Sequence, residues 1–176
     1  KTYWFQMMNR NKRGITLDLT SKAGLDLLKR LLKTADAVID NYAADVLPRM
    51  GLDAAAMLKI NPRLVVVTMP AFGTTGAWKD CRAYGSTLEQ ASGLPSVTGR
   101  DEDPPTMLHA ALGDPLGGVS AATALMLGFM QQRNTGEGQH IDLSQVECSM
   151  QFTAPSIIEQ AATGKTSPRI GNRHPR

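Results

Sequence analysis

The chain has 176 residues, 42% of them hydrophobic and 20% charged, which suits one globular domain with a real core and excludes a disordered or fibrous chain. The formal net charge is +3, and apart from Arg10-Asn11-Lys12-Arg13 the basic residues are scattered, with few aromatics among them. That pattern argues against a nucleic-acid surface and for a small anionic ligand.

In chain order, Ile15-Thr16-Leu17-Asp18-Leu19 alternates apolar and polar residues and predicts a short strand. Thr20 or Ser21 then caps a helix whose Leu25, Leu28, Leu31 and Leu32 fall at helical spacing. Ala37-Val38-Ile39-Asp40 is a second strand, ending at Asn41-Tyr42, where an open parallel sheet presents its ligand-facing turns. Two short helices follow, one ending at Met50-Gly51 and one over 53–60, stopped by Asn61-Pro62. Leu64-Val65-Val66-Val67-Thr68-Met69 is a continuous apolar strand of the kind buried on both faces. Gly73-Thr74-Thr75-Gly76 lies at that strand's carboxyl end and reads as a turn, since it lacks the first glycine of a dinucleotide fingerprint. A helix follows Arg82-Ala83-Tyr84 to about Ser92, and 93–112 reads as a long surface loop. A long helix opens at Asp114 and closes at Asn134-Thr135-Gly136-Glu137-Gly138. A strand over 139–144 and a last helix over 145–162, kinked at Pro155, complete the pattern, and 163–176 reads as a linker cut short. The alternation of strand and helix predicts an α/β fold, an open parallel sheet with flanking helices joined by right-handed crossovers.

Cys81 and Cys148 form no paired motif, so a reduced, cytoplasmic setting is expected. His109, His140 and His174 stand far apart and predict no metal site. Lys1-Thr2-Tyr3-Trp4 does not read as a signal peptide, and both ends look cut. The apolar run from Pro115 to Met130 contains Gly and Ser and falls short of the ~20 residues a membrane span needs, so it reads as a buried helix.

Gly113-Asp114-Pro115-Leu116-Gly117-Gly118 is the stretch of chemical interest. Asp is a favoured N-cap, and Pro115 at the first helical position lacks an N–H that has no partner there anyway. A second reading makes Asp114 a nucleophilic carboxylate at the positive end of the helix dipole. The two are compatible, because a cap at a helix mouth can face a cleft.

Several blocks together resemble the class III (CaiB/BaiF-type) CoA-transferase family. They are 9–15 (NRNKRGI), 35–42 (ADAVIDNY), 60–64 (INPRL), Gly73-Thr74-Thr75-Gly76, Ala111-Leu112-Gly113-Asp114, 133–139 (RNTGEGQ) and 171–175 (GNRHP). The ordered set covers nearly the whole chain, and 110–118 looks most like the formyl-CoA transferase branch. The resemblance implies a Rossmann-like large domain over 1–165, with 166–176 beginning a linker to a small domain, and a homodimer of interlocked rings. It implies transfer of CoA from an acyl-CoA donor to a free carboxylic acid through an aspartyl anhydride and an aspartyl-CoA thioester, with Asp114 as nucleophile. Coenzyme A then enters as a substrate, held by Leu17, Asn41, Tyr42, Arg49, Met50, Arg82 and Tyr84. Arg49 and Arg82 suit the ADP phosphates, where guanidinium forks bind in bidentate fashion, and Tyr42 and Met50 suit the flanks of the adenine. Two residues depart from the family pattern: Tyr42 stands where Phe is commoner, and Arg82 where the formyl-CoA branch has Lys.

The related α-methylacyl-CoA racemases carry a His base where this chain has Tyr84, and a phenol is a poor base at neutral pH. That weighs against a racemase and leaves a non-catalytic CoA-binding homologue, with Asp114 only a cap, as the other competing reading.

Overall fold

The computed structural model describes residues 2–108 and 110–173. His109 and His174 of the metal reading, and Pro175 of the 171–175 block, lie outside the described residues.

The first helix, α1 (Tyr3–Met8), was not expected from the sequence; Thr2 caps it by accepting the Phe5 N–H, and none of its residues is buried. The elements after it are α2 (Lys22–Leu32), β1 (Ala37–Asp40), α3 (Val46–Arg49), α4 (Ala54–Ile60), β2 (Val65–Thr68), α5 (Gly85–Ala91), α6 (Leu94–Val97), α7 (Gly113–Thr135), β3 (Gln139–Asp142), α8 (Gln145–Met150) and α9 (Ala154–Thr163).

The three strands form one parallel sheet in the order β1-β2-β3. The expected α/β architecture is therefore present. β2 is central, and Val65, Val66 and Val67 are each fully buried, because an apolar strand in a parallel sheet is covered on both faces. Val66 packs with Leu32, Leu47, Leu52, Met57 and Leu64 on the side of α2, α3 and α4. Val65 and Val67 pack with Met69 and Ala121 on the side of α7. Gly128 lets α7 lie close on the sheet, since a Cβ there would stand 2.6 Å from Val65 Cγ1. The returns to β2 and to β3 thus run on opposite faces while both step the same way across the sheet, which gives them opposite hands. The right-handed rule belongs to compact βαβ units, and the second return is long, taking in α5, α6 and α7.

Register puts Asp40, Thr68 and Asp142 in one row across the carboxyl ends of the three strands. Ligands bind outside this edge in open α/β sheets.

Three expectations are corrected. Residues 15–19 form no strand: Asp18 Oδ1 accepts the Thr20 N–H at 2.9 Å and the Thr20 hydroxyl at 2.6 Å, turning the chain into the α2 cap, and β1 does not pair with it. The presumed loop 93–112 contains α6, begun at Gly93 with φ +77°. The helix expected over 145–162 is two helices, broken at Thr153, whose hydroxyl donates to Ser92 O at 2.9 Å. The tail folds back on the 99–103 loop: Gly171 N–H donates to Gly99 O at 2.8 Å, and Arg169 Nε donates to Arg100 O at 3.0 Å. Among the described residues, no helix is long and apolar enough to cross a membrane.

Candidate active site

The first turns of α5 and α7 meet through two glycines. A Cβ on Gly85 would lie 2.7 Å from both Cγ and Oδ2 of Asp114 and 2.6 Å from Ala111 O. One on Gly113 would lie 2.7 Å from Gly85 O and 2.6 Å from Leu88 Cβ. Only hydrogen fits at either place, so the backbone of α5 lies directly against the Asp114 carboxylate.

Asp114 is the second residue of α7 rather than its N-cap; Leu112 holds the cap position without a side-chain bond. The cause is Ala111, which sits in the left-handed region at φ +46° and turns the chain into the helix early. Asp114 N–H donates to Ala111 O at 3.1 Å. The side chain is exposed, and among the described residues its carboxylate accepts no hydrogen bond. The capping reading is therefore withdrawn. What remains is an accessible anion in the first turn of a 23-residue helix, where backbone N–H groups lack helical acceptors.

A separate cavity of about 350 Å³ opens over the row at the strand ends. Its apolar wall comes from the α3–α4 side, including Leu47, Pro48 and Leu52; Tyr42 and Asp53 also line it, and the sheet contributes Asp40, Thr68 and His140. His140 Nε2 lies 2.8 Å from Thr68 Oγ1. Asp40 Oδ1 accepts the Tyr42 N–H at 3.3 Å, while Oδ2 is buried without a partner among the described residues. Burial pushes the Asp40 carboxyl above its ordinary range; the Tyr42 N–H and the nearby His140 pull the other way. Asp142 fastens the glycine loop, both its oxygens accepting the Thr74 N–H at 3.2 Å and Oδ2 also accepting the Thr74 hydroxyl.

The residues expected to hold CoA are spread around these two features. Tyr42 lines the cavity, and Asn41 is exposed beside it just after β1. Arg49 follows Pro48 on α3, 77% exposed, its guanidinium 2.6 Å from Asp45. Met50 packs against the core, and Leu17 is half-buried in irregular chain. Arg82 is exposed, and Tyr84, 85% exposed, occupies the N-cap position of α5 directly before Gly85. Tyr84 thus stands one residue from the Asp114 contact, whereas Tyr42 lines the strand-end cavity and Arg49 follows its lining residue Pro48. Sequence reading missed Thr68, His140 and Asp142 as site residues. Thr68 and Asp142 close their strands at the edge where ligands bind, in a row that only the register brings together. Among the described residues, no cluster of His, Cys, Asp and Glu is arranged to hold a metal ion.

Residues 1–176 match CoA-transferase family III along their whole length. The chain belongs to CoA-transferase family III. Among curated relatives, it is 32% identical over 172 residues to the succinate–glutarate CoA-transferase of Agrobacterium fabrum, covering 98% of this chain and 43% of the relative. It is 35% identical over 138 residues to a formyl-CoA:oxalate CoA-transferase of Rhodopseudomonas palustris, covering 78% of this chain and 32% of the relative. The crystal structure of a CaiB/BaiF family protein from Brucella suis superposes with a TM-score of 0.87 at 32% identity, over 95% of this chain and 44% of that one. A hypothetical protein from Mycobacterium tuberculosis shares the fold, with a TM-score of 0.82 at 20% identity, over 89% of this chain and 45% of that one. The family III chain thus spans less than half the length of these relatives.

Proposed function

We propose that the protein to which this chain belongs moves CoA from an acyl-CoA donor to a free carboxylic acid, with Asp114 as the nucleophile. The observation that carries the reading is the accessible Asp114 carboxylate wedged against the hydrogen-only surface of Gly85 at the meeting of two helix N-termini.

The chemistry suits an unpartnered carboxylate. Asp114 attacks the donor thioester carbonyl, forming a mixed anhydride and releasing CoA thiolate. The thiolate attacks the Asp114 carbonyl carbon, releasing the donor acid and leaving an aspartyl-CoA thioester. The acceptor carboxylate attacks that thioester, forming a second anhydride and freeing the thiolate again. The thiolate then attacks the acceptor carbonyl, and Asp114 departs as carboxylate with the new acyl-CoA. Every nucleophile is an anion, so no step needs a proton, and the absence of a base bonded to Asp114 among the described residues costs the reaction nothing. Backbone N–H groups in the first turns of α5 and α7 are suited to the oxyanions of the tetrahedral states.

CoA is proposed to lie with its adenine by Tyr42 at the strand-end cavity, its phosphates toward Arg49 and Arg82, and its thioester toward Tyr84 and Asp114. Residues 1–165 are read as part of a large domain and 166–176 as the approach to a small one. The whole protein is read as an interlocked homodimer in the cytoplasm. The chain's span of 43% of a CoA-transferase supports the partial-domain reading.

The route is tested with acceptor acid labelled with ¹⁸O in its carboxylate. After turnover of the full-length protein, one acceptor oxygen is expected in the Asp114 side chain, because Asp114 leaves the second anhydride with the bridging oxygen. Label in the released donor acid under single-turnover conditions, with none in Asp114, would mean direct attack of acceptor on donor and defeat the proposal.

A further inference from the structure

Glu89 lies on α5 and is 1% exposed, yet it is no part of the chemistry above. Its Oε1 accepts the backbone N–H of Leu108, and its Oε2 is buried without a partner among the described residues. The next residue, Gln90, donates from Nε2 to Met107 Sδ at 2.8 Å. A buried carboxylate with a free oxygen is costly, and an apolar side chain would fill the same space more cheaply. What a carboxylate adds is a strong, charge-assisted acceptor for one backbone N–H.

That N–H belongs to the segment that delivers Asp114. α5 meets the segment at three levels: Glu89 at Leu108, Leu88 at Gly113, and Gly85 at Ala111 and Asp114. Ala111, at the last of these levels and three residues beyond Leu108, is a residue with a Cβ held at φ +46°. Such a backbone persists only where its surroundings over-determine it. The packing contacts are apolar or backbone, and Glu89 with Gln90 supplies the polar side-chain tethers at the upstream end.

We infer, on the reading that Asp114 is the nucleophile, that Glu89 is a positioning residue: its carboxylate pins Leu108 to α5, holds the left-handed turn at Ala111, and thereby aims Asp114. It touches no reacting atom.

The test uses the full-length protein with Glu89→Met, Glu89→Gln and the double variant Glu89→Met/Ala111→Gly. Loss of aim by up to an ångström predicts that Glu89→Met lowers kcat per folded enzyme ~10- to 100-fold. The KM for acyl-CoA should stay within about twofold, since binding contacts are untouched. Glu89→Gln keeps a weaker, neutral acceptor, so the Leu108 amide exchanges faster than in the wild type and kcat falls by a smaller factor, about three- to tenfold. Ala111→Gly in the Met background restores most of kcat, because glycine takes φ +46° without the tether. A merely structural Glu89 would lower the folded fraction, leave kcat per folded enzyme unchanged and give no rescue. That result overturns the inference, as does unchanged Leu108 exchange with unchanged kcat in Glu89→Gln, which decides the matter even where the Met variant does not fold. Trapping the Asp114 adduct with hydroxylamine in parallel separates the two readings. No adduct in the wild type overturns both; an adduct formed at the wild-type rate in every Glu89 variant overturns this one alone.

Discussion

Alanine at Gly85 is the most informative small change in the chain. The residue opens α5 with an ordinary negative φ, so glycine is not needed for its backbone. Elsewhere in a helix, replacing such a glycine by alanine stabilises by roughly 0.5–1 kcal/mol. Gly118 in α7, with nothing within 4 Å of its notional Cβ, should behave in that way and serves as the control. At Gly85 the new methyl would stand 2.7 Å from Asp114 Cγ and Oδ2, about 0.7 Å short of the 3.4 Å at which ordinary contact begins, and closer still to Ala111 O. The Ala111 carbonyl is backbone and cannot give way, and the Asp114 carboxylate can do so only by swinging out of its present position. Overpacking of this kind costs about 1–3 kcal/mol, reversing the sign seen at Gly118. The catalytic penalty is larger in proportion, because moving a reacting group by most of an ångström costs on the order of 10²-fold in rate. Thermal melting of both variants, alongside steady-state transfer kinetics of full-length Gly85→Ala, measures both effects. A Gly85→Ala protein that melts higher than wild type and transfers CoA at the wild-type rate would refute the contact between α5 and Asp114.

Asp142→Ala removes the acceptor that ties Thr74 to β3 and should cost about 1–2 kcal/mol, below the full value of charged hydrogen bonds because the site is exposed. Hydrogen exchange at the Thr74 amide should rise with it, and unchanged exchange would show the loop is held by other contacts. Asp40→Asn should raise the melting temperature at neutral pH. Burial lifts the Asp40 carboxyl above its unfolded value, so the folded chain holds the proton longer than the unfolded one. Stability is then lost as pH climbs from the unfolded value through the raised one. The asparagine variant escapes that loss, and its advantage should vanish in acid below the unfolded value. An advantage that persists there would assign it to hydrogen bonding instead.

Much of the frame was legible because local chemistry and burial agreed. Val65, Val66 and Val67 could only be a strand covered twice, and Ser21 before a leucine-spaced run could only open a helix. Failures came where tertiary partners decided. The alternation at 15–19 looks like a strand, but Asp18 spends its carboxylate on Thr20 and no neighbouring strand pairs there. The break before α9 depends on Thr153 reaching Ser92, a partner 61 residues away in the chain. Asp114 was found for its helix-mouth position and its resemblance, yet its true place in the first turn hangs on Ala111 taking a glycine-like backbone, which composition does not announce. The strand-end row of Asp40, Thr68 and Asp142 becomes visible only once register is known.

The most direct measurement is to incubate the full-length protein with a panel of acyl-CoA donors, quench with hydroxylamine and locate the adduct by peptide mass spectrometry. A hydroxamate on Asp114, absent from the Asp114→Ala protein, is the predicted result. CoA bound across the panel with no adduct at Asp114, or an adduct on another residue, would contradict the account and leave Asp114 as a first-turn helix residue in a CoA-binding protein.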